Sequence, residues 1–170
     1  MWFTGTHAII SITWSTMRKI RVICIGDLKF KGLKELEKKY MEKINFFTKL
    51  EIRNLKDISS KDDALKKKKE RQLIMDALDK KDFVIALDQY GKKMDSAGFA
   101  KTLTGTMNNH PHPIVFLIGG HAGISKDLDA RINMKLSFSD MVFAHDLFRV
   151  VFLEQLYRAF TIIKNIKYHR

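Results

Sequence analysis

Cysteine is almost missing from this 170-residue chain. Cys24 stands alone inside an apolar strand pattern, which rules out a disulfide framework or a thiolate metal cluster and suits a reducing compartment. Proline occurs only at positions 111 and 113, both in the turn cluster Asn-Asn-His-Pro-His-Pro. His110 and His112 lie there without an acidic or cysteine neighbour, so no metal site is expected. Acidic side chains are the minority, 19 against 31 basic ones. No apolar run is long enough to span a bilayer, so no membrane partner is expected. Neither G-x-G-x-x-G after a strand nor G-x-x-x-x-G-K-[ST] occurs, so dinucleotide-fold and P-loop readings lack support.

What is present begins with charge. A net charge of +12 points to a polyanionic partner such as RNA, unless it only reflects a lysine-rich coding bias. The first sixteen residues, MWFTGTHAIISITWST, are uncharged. They lack the basic start and cleavage site of a secretory signal, and are too short and too polar to cross a membrane. They are expected to stand outside the fold, with Met17 as the native start, leaving 17–170 as one domain.

The central stretch is Pro113-Ile-Val-Phe-Leu-Ile-Gly-Gly-His-Ala-Gly-Ile124. Its apolar run predicts a buried strand, its glycines a tight loop, and Ser125 a helix N-cap. Parallel α/β sheets bind ligands at such strand ends, and glycine lets backbone approach a ligand closely. Further strands are expected at 19–25, 50–55, 83–87 and 134–138, and helices at 30–47, 62–79, 96–107 and 125–132. Ser96 is the expected N-cap of the third helix. The β-α alternation requires a parallel sheet with crossover helices. The helix over 146–164 is apolar around nearly its whole circumference, which predicts burial by the fold on one side and by a second subunit on the other. Glu154 and Arg158 can pair along it. Lys66 to Arg71 reads as a solvated helix face, or alternatively as a phosphate contact.

Several segments together resemble one family. Ile118-Gly-Gly-His-Ala-Gly-Ile124, Leu136-Ser-Phe-Ser-Asp-Met-Val-Phe-Ala-His145, Arg149-Val-Val, Glu154-Gln-Leu-Tyr-Arg-Ala159 and the terminal Tyr168-His169-Arg170 occur in the same order as in the bacterial large-subunit (23S) rRNA pseudouridine N3-methyltransferases, the RlmH family. The likeness covers Met17 to Arg170. It implies a SPOUT-class α/β methyltransferase with a C-terminal trefoil knot, acting as a cytoplasmic homodimer on the assembled ribosome. It also implies S-adenosylmethionine as methyl donor and N3 of a pseudouridine in an rRNA stem-loop as acceptor, with no role for DNA. The donor pocket carried onto this chain is Leu87, Gly119 and the run Phe138, Ser139, Asp140, Met141, Val142 and Phe143. His145 and His169 become candidates for the proton acceptor. Arg149 and Arg170 would hold the imide anion or a phosphate, and Tyr168 would meet the base. Relatives commonly carry proline where this chain has Ala144, and proline or serine where it has His121. The competing readings are a non-catalytic basic RNA-binding module, or the same enzyme class acting on tRNA or another rRNA base.

Overall fold

The computed structural model describes residues 19–121 and 123–168; the extension, His169 and Arg170 lie outside them. Five strands form one parallel sheet: β1 (Lys19–Ile25), β2 (Lys49–Leu55), β3 (Phe83–Lys93), β4 (Ile114–Ile118) and β5 (Met134–Ser137), in the order β2-β1-β4-β3-β5. Parallel strands need crossovers. These are supplied by α1 (Lys31–Asn45), α2 (Asp63–Ala77), α3 (Ser96–Asn109) and a 3₁₀ segment at Lys126–Arg131, and α4 (His145–Ile163) closes the chain.

Side-chain alternation builds two cores. Ile20, Val22 and Cys24 of β1 join Ile114, Phe116 and Ile118 of β4 on the face covered by α1, α3 and α4. Ile23, Ile25, Val115 and Leu117 point to the other face, under α2 and the 3₁₀ segment. Burial pushes the Cys24 thiol up to about 12, as befits an inert core group.

Two expectations need correction. The third strand does not stop at Leu87 but continues to Lys93 across an irregularity, because Lys92 and Lys93 pair again with β5. The N-cap of α3 is Asp95, whose carboxylate accepts from the Gly98 N–H at 2.7 Å. Ser96 lies one position inside the helix, and its hydroxyl donates to Gln155 at 2.8 Å. The inward face of α4 is covered within one chain, while Leu147 stays exposed. The helix lies over the sheet with α1 and α3 packed along its flanks, so Phe152, Leu153, Leu156 and Ala159 are buried within one chain.

Candidate active site

β3, β4 and β5 are adjacent, and their C-terminal ends are in register. Leu87 lies opposite Ile118 on one side and opposite Leu136 on the other. Gly119 directly follows Ile118, and Phe138 comes two residues after Leu136. The three segments carried over for the donor pocket therefore meet at one rim of the sheet, where parallel α/β folds bind ligands.

Two backbone segments come very close at this rim. Leu136 is the partner of both Leu87 and Lys92, so β3 bulges over residues 88–91 against the same strand. Gly91 makes that approach possible. A Cβ there would fall 2.5 Å from the backbone C of Leu136 and 2.7 Å from that of Lys135. Only glycine allows two backbones to approach so closely. Its signal in the sequence was only a glycine in a polar segment, Asp88-Gln-Tyr-Gly91, which the periodicity reads as an exit loop.

Phe138 forms the inner wall. Its ring stands edge-on to Phe99 at 5.3 Å and to Phe152 at 5.9 Å, a geometry aromatic quadrupoles favour. The segment then turns outward. Ser139 accepts from the Met141 N–H at 2.8 Å, and its carbonyl accepts from the Ser137 hydroxyl at 3.1 Å. Asp140 is ion-paired with Lys93, tying the loop to the extended end of β3. Met141 and Val142 are 75% and 82% exposed, so their side chains do not form an enclosed wall. Phe143 stacks on Phe148 at 6.2 Å.

Of the candidates for chemistry, His145 opens α4. Its Nε2 donates to the Ile25 carbonyl at 2.7 Å, and its Nδ1 faces Asp146 at 2.7 Å. Asp146 also accepts from the Lys29 N–H at 3.0 Å. The start of α4 is thereby fastened to the loop after β1.

Arg149 is 1% exposed and ion-paired with Glu37 of α1. The guanidinium lies between two helices and the sheet. The cause is register: Arg149 sits one turn after His145, on the inward stripe of α4.

Arg158 pairs with Glu154 at 2.6 Å. Tyr168 folds back onto the same helix, edge-on to Tyr157 at 4.7 Å and beneath Arg158. Burial and its contact with Tyr40 push the phenol up to about 12. The roles expected of His169 and Arg170 fall outside the described residues.

The lysine run is not uniformly a solvated face. Lys66 turns inward, its ammonium 2.8 Å from Asp57 and 3.7 Å from Glu70. Glu70 is only 2% exposed. Lys68 and Lys69 do face solvent. No periodicity marked Glu70, because a charged residue amid lysines looks like surface.

The residues at the rim suit a methyl donor of the adenosylmethionine type. Aliphatic and aromatic side chains (Leu87, Phe138, Phe143) offer walls for an adenine ring, while loops after three strands present backbone groups to its edge. Among the described residues no cluster of His, Cys, Asp and Glu is able to hold a metal ion.

Comparison with known proteins agrees with this geometry. The family model described as "Predicted SPOUT methyltransferase" matches residues 18–169. The chain is 39% identical over 153 residues to Ribosomal RNA large subunit methyltransferase H of Christiangramia forsetii, covering 88% of this chain and 98% of that protein. It is 39% identical to the protein of the same name from Mycoplasmopsis agalactiae, covering 91% and 100%. The namesake in Desulfotalea psychrophila is 36% identical, covering 89% and 99%. A solved structure of a "probable methylase family protein" from Haemophilus influenzae Rd KW20 superposes with a TM-score of 0.54 at 12% identity, over 88% of this chain and 67% of that one; it speaks for the fold alone. With its parallel sheet and these relatives, the chain belongs to the SPOUT methyltransferase family.

Proposed function

We propose that this protein methylates N3 of a pseudouridine in a stem-loop of large-subunit rRNA, using S-adenosylmethionine and acting on the assembled ribosome as a cytoplasmic homodimer. The observation that carries the reading is the meeting of Leu87, Gly119 and Phe138 at one rim, in a chain matching large-subunit rRNA methyltransferases along nearly their full length. We further infer that the C-terminal part of the chain is threaded as a trefoil knot; the close approach of the Gly91 and Leu136 backbones supports this.

S-adenosylmethionine supplies an electrophilic methyl group on a sulfonium. The chain's task is alignment, because an in-line displacement gains most from holding nucleophile and methyl carbon at near-contact distance. Leu87 and Phe138 would hold the adenosyl part. The backbone of 139–143, braced by the Asp140–Lys93 ion pair, would close over it.

The target imide nitrogen must lose its proton to attack. His145 spends Nε2 on Ile25 and Nδ1 on Asp146, so its role is to hold the start of α4. We assign proton acceptance to His169 and anion or phosphate binding to Arg170. Tyr168, packed on Tyr157, anchors that tail.

The exposed apolar side chains Tyr90, Met141, Val142 and Leu147 form the surface for the second copy. No helix among the described residues is long and apolar enough to cross a membrane.

Nucleoside mass spectrometry of large-subunit rRNA from cells lacking the protein tests the assignment. Loss of one N3-methylpseudouridine is the expected result. An unchanged rRNA profile together with a missing tRNA methyl group would move the target to tRNA.

A further inference from the structure

Beneath the glycine turn lies a group of charges that the reaction does not require. Glu70 of α2 is buried on the face of the sheet opposite Phe138, and a Cβ on Gly120 would fall 3.4 Å from its Oε2 and 3.0 Å from Ile25 Cγ2. The turn above is narrow, with the Gly123 N–H donating to the Gly120 carbonyl at 2.9 Å. The Ile58 backbone, in the loop after β2, lends the Glu70 carboxylate a hydrogen bond. Its counter-charge is Lys66, 3.7 Å away, which also reaches Asp57 at 2.8 Å.

Asp57, in the loop after β2, packs against Gly26 in the loop after β1, beside the His145 ring. Lys29 and His145 both lend it positive potential. The set Glu70–Lys66–Asp57 thus lies under the loops that follow β1, β2 and β4.

A buried carboxylate and ammonium are costly to desolvate and poor devices for stability alone. Where they persist, they fix one arrangement of the backbone they touch, and here that backbone is Ile58 after β2 and Gly120, next to Gly119, after β4. We propose that Glu70, braced by Lys66, is a positioning residue that holds the 119–123 turn in the shape that receives the methyl donor. Glu70 touches neither donor nor acceptor and acts through the turn. The inference rests on the donor site proposed above.

The test is calorimetric titration of the full-length protein with S-adenosylmethionine, paired with steady-state methylation of ribosomes lacking the modification. Glu70→Ala and Lys66→Met are expected to weaken donor binding by roughly tenfold, the scale on which misplaced site geometry acts. They should raise KM for the donor and leave KM for ribosomes and kcat at saturating donor within about twofold. Glu70→Gln keeps the volume and loses the charge, so it should weaken binding less, and adding Lys66→Met to it should cost little more. Gln72→Ala, on the exposed side of the same helix, should change neither donor binding nor KM for ribosomes.

If Glu70→Ala unfolds, the Glu70→Gln and Lys66→Met pair decides. Folded variants that melt earlier yet bind the donor like wild type would make the cluster merely structural and overturn the proposal. Wild-type protein that takes up no donor at all would instead overturn the functional reading on which it rests.

Discussion

Gly91 is where one added methyl group would be felt most. Gly91→Ala would place a carbon 2.6 Å from the Leu136 nitrogen and 2.5 Å from its carbonyl carbon, both backbone atoms that no rotamer change can move aside. Overpacking typically costs about 1–3 kcal/mol. The variant should show a lower urea midpoint at unchanged m-value, together with weaker donor binding in calorimetry. Tyr168 gives a pH signature. Its phenol is pushed up to about 12 in the folded chain, against about 10 for a free tyrosine. Between those values the unfolded chain has lost the proton and the folded chain keeps it. The tail's contribution is therefore intact below about pH 10 and fades as pH rises toward 12. Ultraviolet titration of wild type against Tyr168→Phe should show the late-titrating tyrosinate disappear in the variant.

At the scale of elements, a buried ion pair holds the loop before β3 to the sheet. Near the N-terminal edge, Arg21 of β1 is buried and paired with Asp82, which also accepts from the Asp79 N–H at 2.7 Å. Asp82→Ala would leave that guanidinium with the Ala77 carbonyl at 3.4 Å and the exposed Asp79 carboxylate at 3.2 Å. Breaking a buried pair on one side costs about 3–5 kcal/mol, and thermal melting should report it. Donor affinity of the folded fraction should be unchanged, since the site is at the other end of the strands. On α2 the lysines divide by direction. Lys66 serves the interior, whereas Lys68 and Lys69 are free to meet phosphate. Replacing Lys68 and Lys69 with glutamine should reduce the slope of log affinity for ribosomes against log salt by about one to two. An unchanged slope would return these two to plain solvation.

For the molecule as a whole, a net charge of +12 is an electrostatic footprint that favours encounter with rRNA and weakens with salt. The apolar side chains left at the rim, Met141, Val142 and Leu147, border the proposed donor site. Val142→Asp should therefore shift the sedimentation of the proposed dimer to that of a monomer and depress methyl transfer together. Dimer formation unaffected by this change would move the interface elsewhere on the surface.

The layered architecture was legible because it rests on local rules. Alternation in Lys19–Ile25 and the apolar run Ile114–Ile118 identify strands, a 3.6-residue rhythm marks α1, and strands alternating with helices require parallel pairing. The glycine stretch and the aromatic-serine segment could be placed at strand ends on the same basis. Which strand ends adjoin was decided only by folding, since the order β2-β1-β4-β3-β5 depends on crossovers that no periodicity records. Arg149 and Glu70 show the limit most plainly. Charge in a sequence reads as surface, and only packing reveals that one pairs with Glu37 between helices and the other lies under Gly120. The sequence alone determined strands, helices and chemistry-bearing segments. The tertiary structure decided which of them meet, because contact between distant segments depends on topology and close packing rather than on neighbours along the chain.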